Sequence, residues 1–446
     1  MLTKHSVYAT LRPSRKVQHC RGVAMTSEGP IDSLLSARWS RRRFIGRSMG
    51  VGVAVAGLGP LLEACAKASV ATVNPFPLGS PQHPVLWPIS KDNKPIASGL
   101  TPESNATLKI YNYPDYLDLP TAVTNFQKLY KQYNVTVEIS TFNDINEALA
   151  KLRTGEVDFD LFVPSYDSIG KLVFGNFLRP LTHSYIPNIS QVWPQFTNPF
   201  YDQQWRYTVP YTIYTTGIGW RSDKVSEDIS LRTNPYDVFW DPIYNSKIAI
   251  LDDYREAITM VLLRNGITDI LTGDSKKLNL VAGQLTDMIS KTNPKVNITD
   301  YQDIPDGTTN VSQAWSGDMI NAQYNMPAGQ SPSVLRYWYP KNGKGAVNED
   351  IFVILRSGKN PVLSHLWLNY MLDLKNAKSN AAFTGYQTPH NGIDPNTMVS
   401  DGTIPANLAS VVVLPQYFNE GYRELELSPA TDTAWHNVWQ AFKAGG

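Results

Sequence analysis

Short apolar runs alternate with amphipathic stretches from residue 108 to the end of the chain. Apolar runs bounded by turn residues predict β-strands, and apolar positions that recur every three or four residues predict helices. Strands are predicted over 108–113, 135–142, 159–164, 217–221, 247–251, 310–315 and 350–355, and helices over 146–152, 254–264, 276–289, 363–374 and 430–442. This alternation favours an α/β fold. The folded part of the chain is longer than a single hydrophobic core usually accommodates, so two domains are expected.

A twin arginine precedes a glycine-rich apolar stretch near the N-terminus. The segment SRRRFI at 40–45, followed by apolar residues at 51–62, is typical of a twin-arginine export signal. The stretch is too short to cross ~30 Å of hydrocarbon as a helix, which argues against a membrane anchor. The segment LEAC at 62–65 has the pattern of a lipobox, in which Cys65 is acylated. Residues 1–65 are therefore predicted to be a lipoprotein signal, with Met25 as an alternative start to Met1.

Charge and composition beyond the leader narrow the possible functions. Residues 1–65 hold 10 of the 40 Lys and Arg and 3 of the 39 Asp and Glu, so the remainder carries 30 basic and 36 acidic residues. A net charge of −6 disfavours nucleic-acid binding and suits a cationic ligand. The seven histidines lack metal-ligand spacing, so a histidine-based metal site is not predicted. No phosphate-binding glycine-rich loop is evident, and no cofactor is predicted. Seven prolines within 66–104 favour a semi-extended linker.

Carboxylates stand beside aromatic residues at the ends of predicted strands. The segments are YNYPDY at 111–116, AWSGD at 314–318 and NED at 348–350. Ligands of open α/β sheets bind beyond the carboxyl ends of the strands. Aromatic faces and carboxylates attract alkylammonium ions, although neutral sugars use nearly the same residue types.

Each candidate also has an ordinary structural explanation. Asp115 follows a proline as turn residues do, and Trp315 fits a hydrophobic core. Asp253 and Glu256 form a capping box, and Ser165 is suited to a helix N-cap.

Six segments in order resemble the spermidine/putrescine-binding proteins of bacterial ABC importers. They are KIYNYPDY (109–116), FDLFVPS (159–165), VPY (209–211), LDDYRE (251–256), AWSGD (314–318) and GYQTP (385–389). The resemblance implies a two-lobed periplasmic-binding-protein-like fold of type II, each lobe a mixed sheet flanked by helices, joined by a hinge with crossovers. The implied lobes are residues 105–213 plus 350–394 and residues 214–349 plus 395–446.

The same resemblance assigns roles to ten residues in a cleft between the lobes. Aromatic walls would come from Tyr113, Tyr116, Trp315 and Tyr386. Amine-holding acids would be Asp115, Asp318 and Asp350, with Asp253 and Glu256 at a terminal amine and Ser165 as a polar contact. Two positions depart from the family pattern, because Asn348 replaces an aromatic residue and Asp167 replaces a tyrosine of the spermidine type.

The implied function is capture of a polyamine outside the cytoplasm and its delivery to a membrane permease, without catalysis. The protein is expected to be a monomer in the periplasm or on the outer face of the cytoplasmic membrane, anchored by lipid at Cys65. Three alternatives stay open. They are a binding protein of the same fold for a sugar, an amino acid or another cationic amine, an exported hydrolase with a carboxylate pair, and a structural surface lipoprotein.

Overall fold

The computed structural model describes residues 76–155 and 158–445, all within one compact unit, Ala68–Gly446. The predicted signal at 1–65, including Cys65, lies outside the described residues and stays a prediction. None of the described helices has both the length and the apolar character needed to cross a bilayer.

The described strands join in one mixed sheet. They are β1 (Thr107–Asn112), β2 (Thr136–Thr141), β3 (Leu161–Phe162), β4 (Thr208–Arg221), β5 (Ile248–Leu251), β6 (Lys295–Asn297), β7 (Val311–Trp315), β8 (Leu335–Trp338) and β9 (Ala346–Ile354). Their order is β2-β1-β3-β9-β4-β7-β5-β6, with β8 also paired to β4. β1 runs parallel to β2 and β3, and β5 runs parallel to β6 and β7. The central strands β4 and β9 are antiparallel to each other and to their other neighbours.

Helices cover the sheet between the strands. They are α1 (Thr124–Leu129), α2 (Ile145–Thr154), α3 (Ile169–Phe174), α4 (Tyr254–Arg264), α5 (Ser275–Thr292), α6 (Asp300–Asp306), α7 (Ser316–Asn321), α8 (Pro361–Met371), α9 (Leu374–Thr384), α10 (Tyr417–Glu420) and α11 (Pro429–Lys443). The predicted helix at 254–264 is confirmed. The helix predicted at 363–374 is confirmed as α8, which ends at Met371, three residues earlier than predicted. Asp373 accepts hydrogen bonds from the Lys375 and Asn376 amides and begins a second helix, α9.

Four clusters of buried apolar residues within the described part of the chain divide between two lobes. The first lobe surrounds β1, β2 and β3, where Leu108, Ile110 and Trp367 are fully buried. The second lobe surrounds β5, β6 and β7, where Ile250 and Trp435 are fully buried. β4 and β9 are buried along their whole length and connect the lobes as a hydrogen-bonded pair. The predicted α/β class with two lobes is confirmed, and the exact lobe boundaries stay a prediction.

The described part of the proline-rich stretch, 76–104, packs against the first lobe. Trp87 is 2% exposed, and its indole nitrogen donates to the Tyr201 carbonyl over 2.7 Å. The Asn93 amide nitrogen donates to the Leu178 carbonyl at 2.7 Å. Apolar side chains among the prolines thus dock this part of the stretch on the folded body.

Candidate functional site

Nine of the ten predicted site residues line a cavity of about 460 Å³ between the lobes. The nine are Tyr113, Tyr116, Ser165, Asp253, Glu256, Trp315, Asp318, Asp350 and Tyr386. Asp115 is the exception, because it lies exposed at the rim, where it accepts a hydrogen bond of 3.2 Å from Tyr301. Its φ of 54° is left-handed, as the short turn after β1 requires.

Asp350 lies on β9, the strand that belongs to both lobes. Ser165 donates to one of its oxygens and Tyr116 to the other, each over 2.7 Å. Burial raises the pKa of Asp350 to about 6, and the two hydroxyl donors oppose the rise. Both partners are neutral, so the ionised carboxylate has hydrogen bonds without a counter-charge.

Asp253 and Glu256 extend from the first turn of α4, just beyond β5. Asp253 caps the helix by accepting from the amides of Arg255 and Glu256, at 2.8 Å and 3.3 Å. Burial raises the pKa of Asp253 to about 6. The capping explanation is therefore right, and it leaves Asp253 free to face the cavity as well.

Glu256 is the more buried of the two, at 3% exposure. Its Oε1 accepts from Trp315 at 2.9 Å and from Thr216 at 2.7 Å, whereas Oε2 has no hydrogen-bond partner among the described residues. Burial, with the neighbouring charge of Asp253, raises the pKa of Glu256 to about 7. A buried carboxylate oxygen without a donor is costly, so this position favours a cation from outside the chain.

Asp318, in the first turn of α7, and Asp300 form a second acidic group at the cavity. The Tyr386 hydroxyl donates to Asp318 over 2.7 Å, and the fully buried carboxyl of Asp300 lies beside it. Burial raises the pKa of Asp318 to about 6 and that of Asp300 well above its usual range. Burial and the neighbouring Asp318 charge thus both favour the protonated form of Asp300, whose two carboxyl oxygens have no hydrogen-bond partner among the described residues.

Gly317 explains how Tyr386 reaches Asp318. A Cβ at Gly317 would lie 2.4 Å from the Tyr386 ring, far closer than real contacts. Gly385 has a φ of 83° and passes so near the Gly317 carbonyl that it also excludes a side chain. The glycines of the AWSGD and GYQTP segments thus allow the Tyr386 ring to pack directly against the start of α7 at the cavity.

Aromatic rings form the walls between the two acidic groups. Tyr116 packs edge-on against Tyr386, with ring centroids 4.7 Å apart. Tyr214 contacts both Tyr386 and Trp315 edge-on, at 6.0 Å and 6.3 Å. Trp315 is only partly buried, so it belongs to the cavity wall and not to the interior of a core.

The structure accounts for both departures from the family pattern. Asp167 lines the cavity and forms an ion pair with Arg255 at 3.0 Å. Asn348 is buried on the same face of β9 as Asp350 and accepts a hydrogen bond at 3.0 Å from the amide of Glu424, which lines the cavity. It pairs in register with Tyr214 on β4, which supplies an aromatic wall nearby.

Sequence reasoning missed several residues that line the cavity. They are Tyr214, Arg255, Tyr301 and Glu424. Tyr214 is hidden because β4 is buried throughout, so no alternation marks one face. Glu424 lies outside the helices and strands, and only the folded chain brings it close to Glu256. Burial there raises the pKa of Glu424 well above the usual range. The LDDYRE segment could have revealed Arg255, which lies between two acids.

Comparison with known proteins agrees with this geometry. The model for the family described as bacterial extracellular solute-binding protein matches residues 112–378, more than half of the chain. The chain belongs to this family. Membership places it among exported binding proteins and fits a cleft whose acids come from two lobes.

Individual relatives of this solute-binding protein are named for polyamines. It is 28% identical over 293 residues to the putrescine-binding periplasmic protein PotF of Escherichia coli K12, covering 62% of this chain and 76% of the relative. It is 26% identical over 357 residues to spermidine/putrescine-binding periplasmic protein 1 of Haemophilus influenzae, covering 78% and 88%.

Solved structures share the fold. A putative spermidine/putrescine ABC transporter from Listeria monocytogenes superimposes with a TM-score of 0.65 at 24% identity, covering 76% of this chain and 98% of that one. The Tp0655 lipoprotein of Treponema pallidum superimposes with a TM-score of 0.62 at 20% identity, covering 76% and 99%. The predicted type II periplasmic-binding-protein fold is confirmed.

Proposed function

We propose that this solute-binding protein is the extracytoplasmic substrate-binding component of an ABC importer and that it captures a linear polyamine. The expected ligands are polyamines of the putrescine and spermidine class. A membrane permease is the partner that receives the ligand from this protein. The observation that carries the proposal is the set of buried carboxylates, from both lobes, that have only neutral hydrogen-bond partners. Asp350, Glu256 and Asp318 are its members.

Electrostatics favours a ligand with more than one positive charge. Each of the three acids is almost fully buried, and burial raises the pKa of each to between about 6 and about 7. An ammonium group beside such an acid would supply the missing counter-charge and return its pKa toward the ordinary range. A neutral sugar would leave the same charges uncompensated, which makes it the poorer match.

The walls favour a ligand whose charges are joined by methylene groups. Tyr116, Tyr214, Trp315 and Tyr386 present flat apolar surfaces between the acidic groups. Alkyl chains pack on such faces, and each ammonium–ring contact adds about 0.5–2 kcal/mol. The names of the bacterial relatives support the same ligand class.

Transport requires that the bound form differ from the free form. Ligand shifts the balance between open and closed lobes only by its greater affinity for the closed form. Acids held by separate lobes supply that difference, because a single ligand contacts both groups only when the lobes approach. No bond is made or broken, so the proposal does not include catalysis.

Location and assembly form a separate part of the proposal. The twin-arginine pattern and the lipobox support export of the folded chain and acylation of Cys65, which would tether a monomer to the outer face of the cytoplasmic membrane. Fractionation of cells that express the full chain tests this part. Wild-type protein is expected with the membranes and the Cys65→Ala variant in the soluble fraction, whereas equal partitioning would overturn the assignment of a lipid anchor.

Binding experiments test the ligand. Mass spectrometry of small molecules released from purified protein is expected to detect a polyamine, and calorimetry is expected to show binding of putrescine or spermidine that weakens with salt. Maltose and glutamate serve as comparison ligands. Asp269→Asn, at an exposed acid paired with Lys277, is a control variant that keeps full affinity. Binding of maltose or glutamate alone, or turnover of a glycoside, would replace the proposal with one of the alternatives.

A further inference from the structure

The stretch of chain that precedes β1 is bound to one lobe. We call residues 76–104 the strap. The prolines of the strap favour a semi-extended linker, yet its side chains Phe76, Val85 and Trp87 belong to one buried cluster with Leu172 of the first lobe. Burial of large apolar side chains against a folded lobe removes the freedom of movement that a flexible linker has.

Hydrogen bonds join the middle of the strap to the loop before β4. The Val85 amide donates to the Phe200 carbonyl at 2.7 Å, and the Gln203 amide donates to the Val85 carbonyl at 2.8 Å. The Tyr207 hydroxyl donates to the Pro88 carbonyl at 2.8 Å. The first lobe therefore satisfies both backbone groups of Val85, as a neighbouring strand would.

The same lobe binds the last part of the strap. The Tyr185 hydroxyl donates to the Ala97 carbonyl at 2.9 Å. The Glu103 carboxylate accepts from the amides of Val362 and Leu363, at 3.0 Å and 2.9 Å, in the first turn of α8. Because all of these partners belong to the first lobe, the strap moves with that lobe.

The strap begins beside α3, at the wall of the cleft. The Phe76 and Phe174 ring centroids are 5.5 Å apart. A Cβ at Gly170 would lie 2.8 Å from the Phe76 ring, so the ring packs closely against the backbone of α3. Lys171, the next residue of α3, lines the cavity. The chain therefore enters the first lobe on its cleft side.

The position of Phe76 limits the length of chain between the lobe and the lipid. Ten residues, 66–75, separate Cys65 from the strap. At ~3.6 Å per residue they span at most about 36 Å. If residues 66–104 were all free, the same anchor would act through 39 residues and could span about 140 Å. Docking of the strap thus shortens the reach of the tether about fourfold.

We propose that the strap makes the first lobe the membrane-side lobe of the lipid-anchored protein. This inference rests on the acylation of Cys65 in the proposed function and goes beyond it, because it states which lobe the bilayer surface holds. The first lobe stays near the lipid through a short tether, whereas the second lobe is joined to it by β4 and β9 and keeps its freedom to move.

Energy transfer to labelled lipid tests the inference. The full-length chain is expressed, recovered with acylated Cys65 and reconstituted in vesicles of phosphatidylethanolamine and phosphatidylglycerol that carry an acceptor dye. Cys20 lies in the predicted signal and Cys65 is acylated, so an introduced cysteine is the only site for the donor dye. Phe174→Cys labels the first lobe and Leu231→Cys the second, at residues that are 60% and 82% exposed.

Transfer from the first lobe is expected to be the higher of the two. Phe174→Cys is expected to exceed Leu231→Cys by about twofold or more, because its position lies beside the tether, within ~36 Å of chain from the lipid. Ile243→Ala alters another exposed residue of the second lobe and is expected to leave both values unchanged.

Two changes lengthen the tether by different routes. An insertion of about 20 Gly and Ser residues after residue 75 leaves the strap docked and is expected to lower transfer from Phe174→Cys toward the Leu231→Cys value. Trp87→Ala combined with Glu103→Gln removes contacts of the strap itself. This variant is expected to lower the transfer as well, and to speed tryptic cleavage at Lys91 and Lys94. Should it fail to fold, the insertion still carries the test.

Contrary results separate the inference from the proposed function. Equal transfer from the two labels in the wild type, or transfer from Phe174→Cys that the insertion leaves unchanged, would overturn the inference. Wild-type protein that stays out of the membrane fraction would instead refute the lipid anchor. Calorimetry with putrescine on the same protein tests polyamine binding independently of both.

Discussion

The substitution Asp350→Asn is expected to weaken ligand binding and to stabilise the ligand-free protein. Asparagine keeps the size of the side chain and an acceptor for Ser165 or Tyr116, but it removes a charge that is buried at 5% exposure. The loss of charge therefore acts on two measurable quantities in opposite directions.

Stability follows from the pKa. Burial raises the pKa of Asp350 to about 6 from the usual 3.8, which corresponds to about 3 kcal/mol at about 1.4 kcal/mol per pH unit. The pKa is higher in the folded state than in the unfolded state, so the cost of ionising Asp350 builds up as the pH rises from about 4 to about 6 and is complete above pH 6. The gain from Asp350→Asn is thus expected in full at pH 8 and is expected to fade between pH 6 and pH 4.

The expected loss of affinity in Asp350→Asn follows from the ligand charge that the substitution leaves without a partner. An ammonium group buried beside a neutral amide loses its counter-charge, which costs about 3–5 kcal/mol and raises the Kd by about two to three and a half orders of magnitude. Calorimetry with putrescine measures the affinity, and urea denaturation without ligand measures the free energy of unfolding.

A matched control separates the site from burial alone. Asp202 is fully buried with a pKa raised to about 7, yet it does not line the cavity. Asp202→Asn is expected to keep the wild-type Kd, whatever its effect on stability. A wild-type Kd for Asp350→Asn would remove this residue from the site and refute the electrostatic reasoning.

Three further predictions address other parts of the molecule. Trp315→Ala is expected to weaken putrescine binding by about 0.5–2 kcal/mol while the far-ultraviolet circular dichroism stays native, because the side chain is only partly buried; unfolding would instead make it a core residue. Putrescine affinity is expected to rise between pH 5 and pH 8 as the cavity acids with pKa values of about 6 to 7 ionise, with protons released on binding; calorimetry in buffers of different ionisation enthalpy measures both, and a flat profile would contradict the raised pKa values. Arg423→Gln leaves the fully buried Glu349 without its ion-pair partner, so it is expected to lower the free energy of unfolding by about 3–5 kcal/mol. Urea denaturation at pH 8 measures this change, and an unchanged midpoint would show that the ion pair contributes little to stability.

Local sequence signals were sufficient for most helices and strands and for the strand-end acids of the cavity, whereas the family resemblance assigned the other site residues. The predicted helix at 254–264 has a capping aspartate and an apolar face, and both signals are local. The acids at the ends of β5 and β7 meet because parallel strands present their carboxyl ends at one edge. Asp318 and Asp253 were therefore within reach of the sequence.

Long-range contacts were beyond those signals. Glu424 reaches the cavity from an irregular segment, and Arg255 finds Asp167 across 88 positions of sequence. Such residues lack a periodic neighbourhood, so only the folded chain shows that they share one cavity.

The β4–β9 pair has a consequence for the order of events during ligand capture. Asp350 lies opposite Thr212, next to the irregular register between Pro210 and Thr212, on strands common to both lobes. A rotation of the lobes about this pair would displace Asp253 and Asp318 far more than Asp350, because points near an axis move least. Asp350 would then keep the same position throughout the cycle, so a polyamine would bind there first, before the acids of the moving lobe close on it.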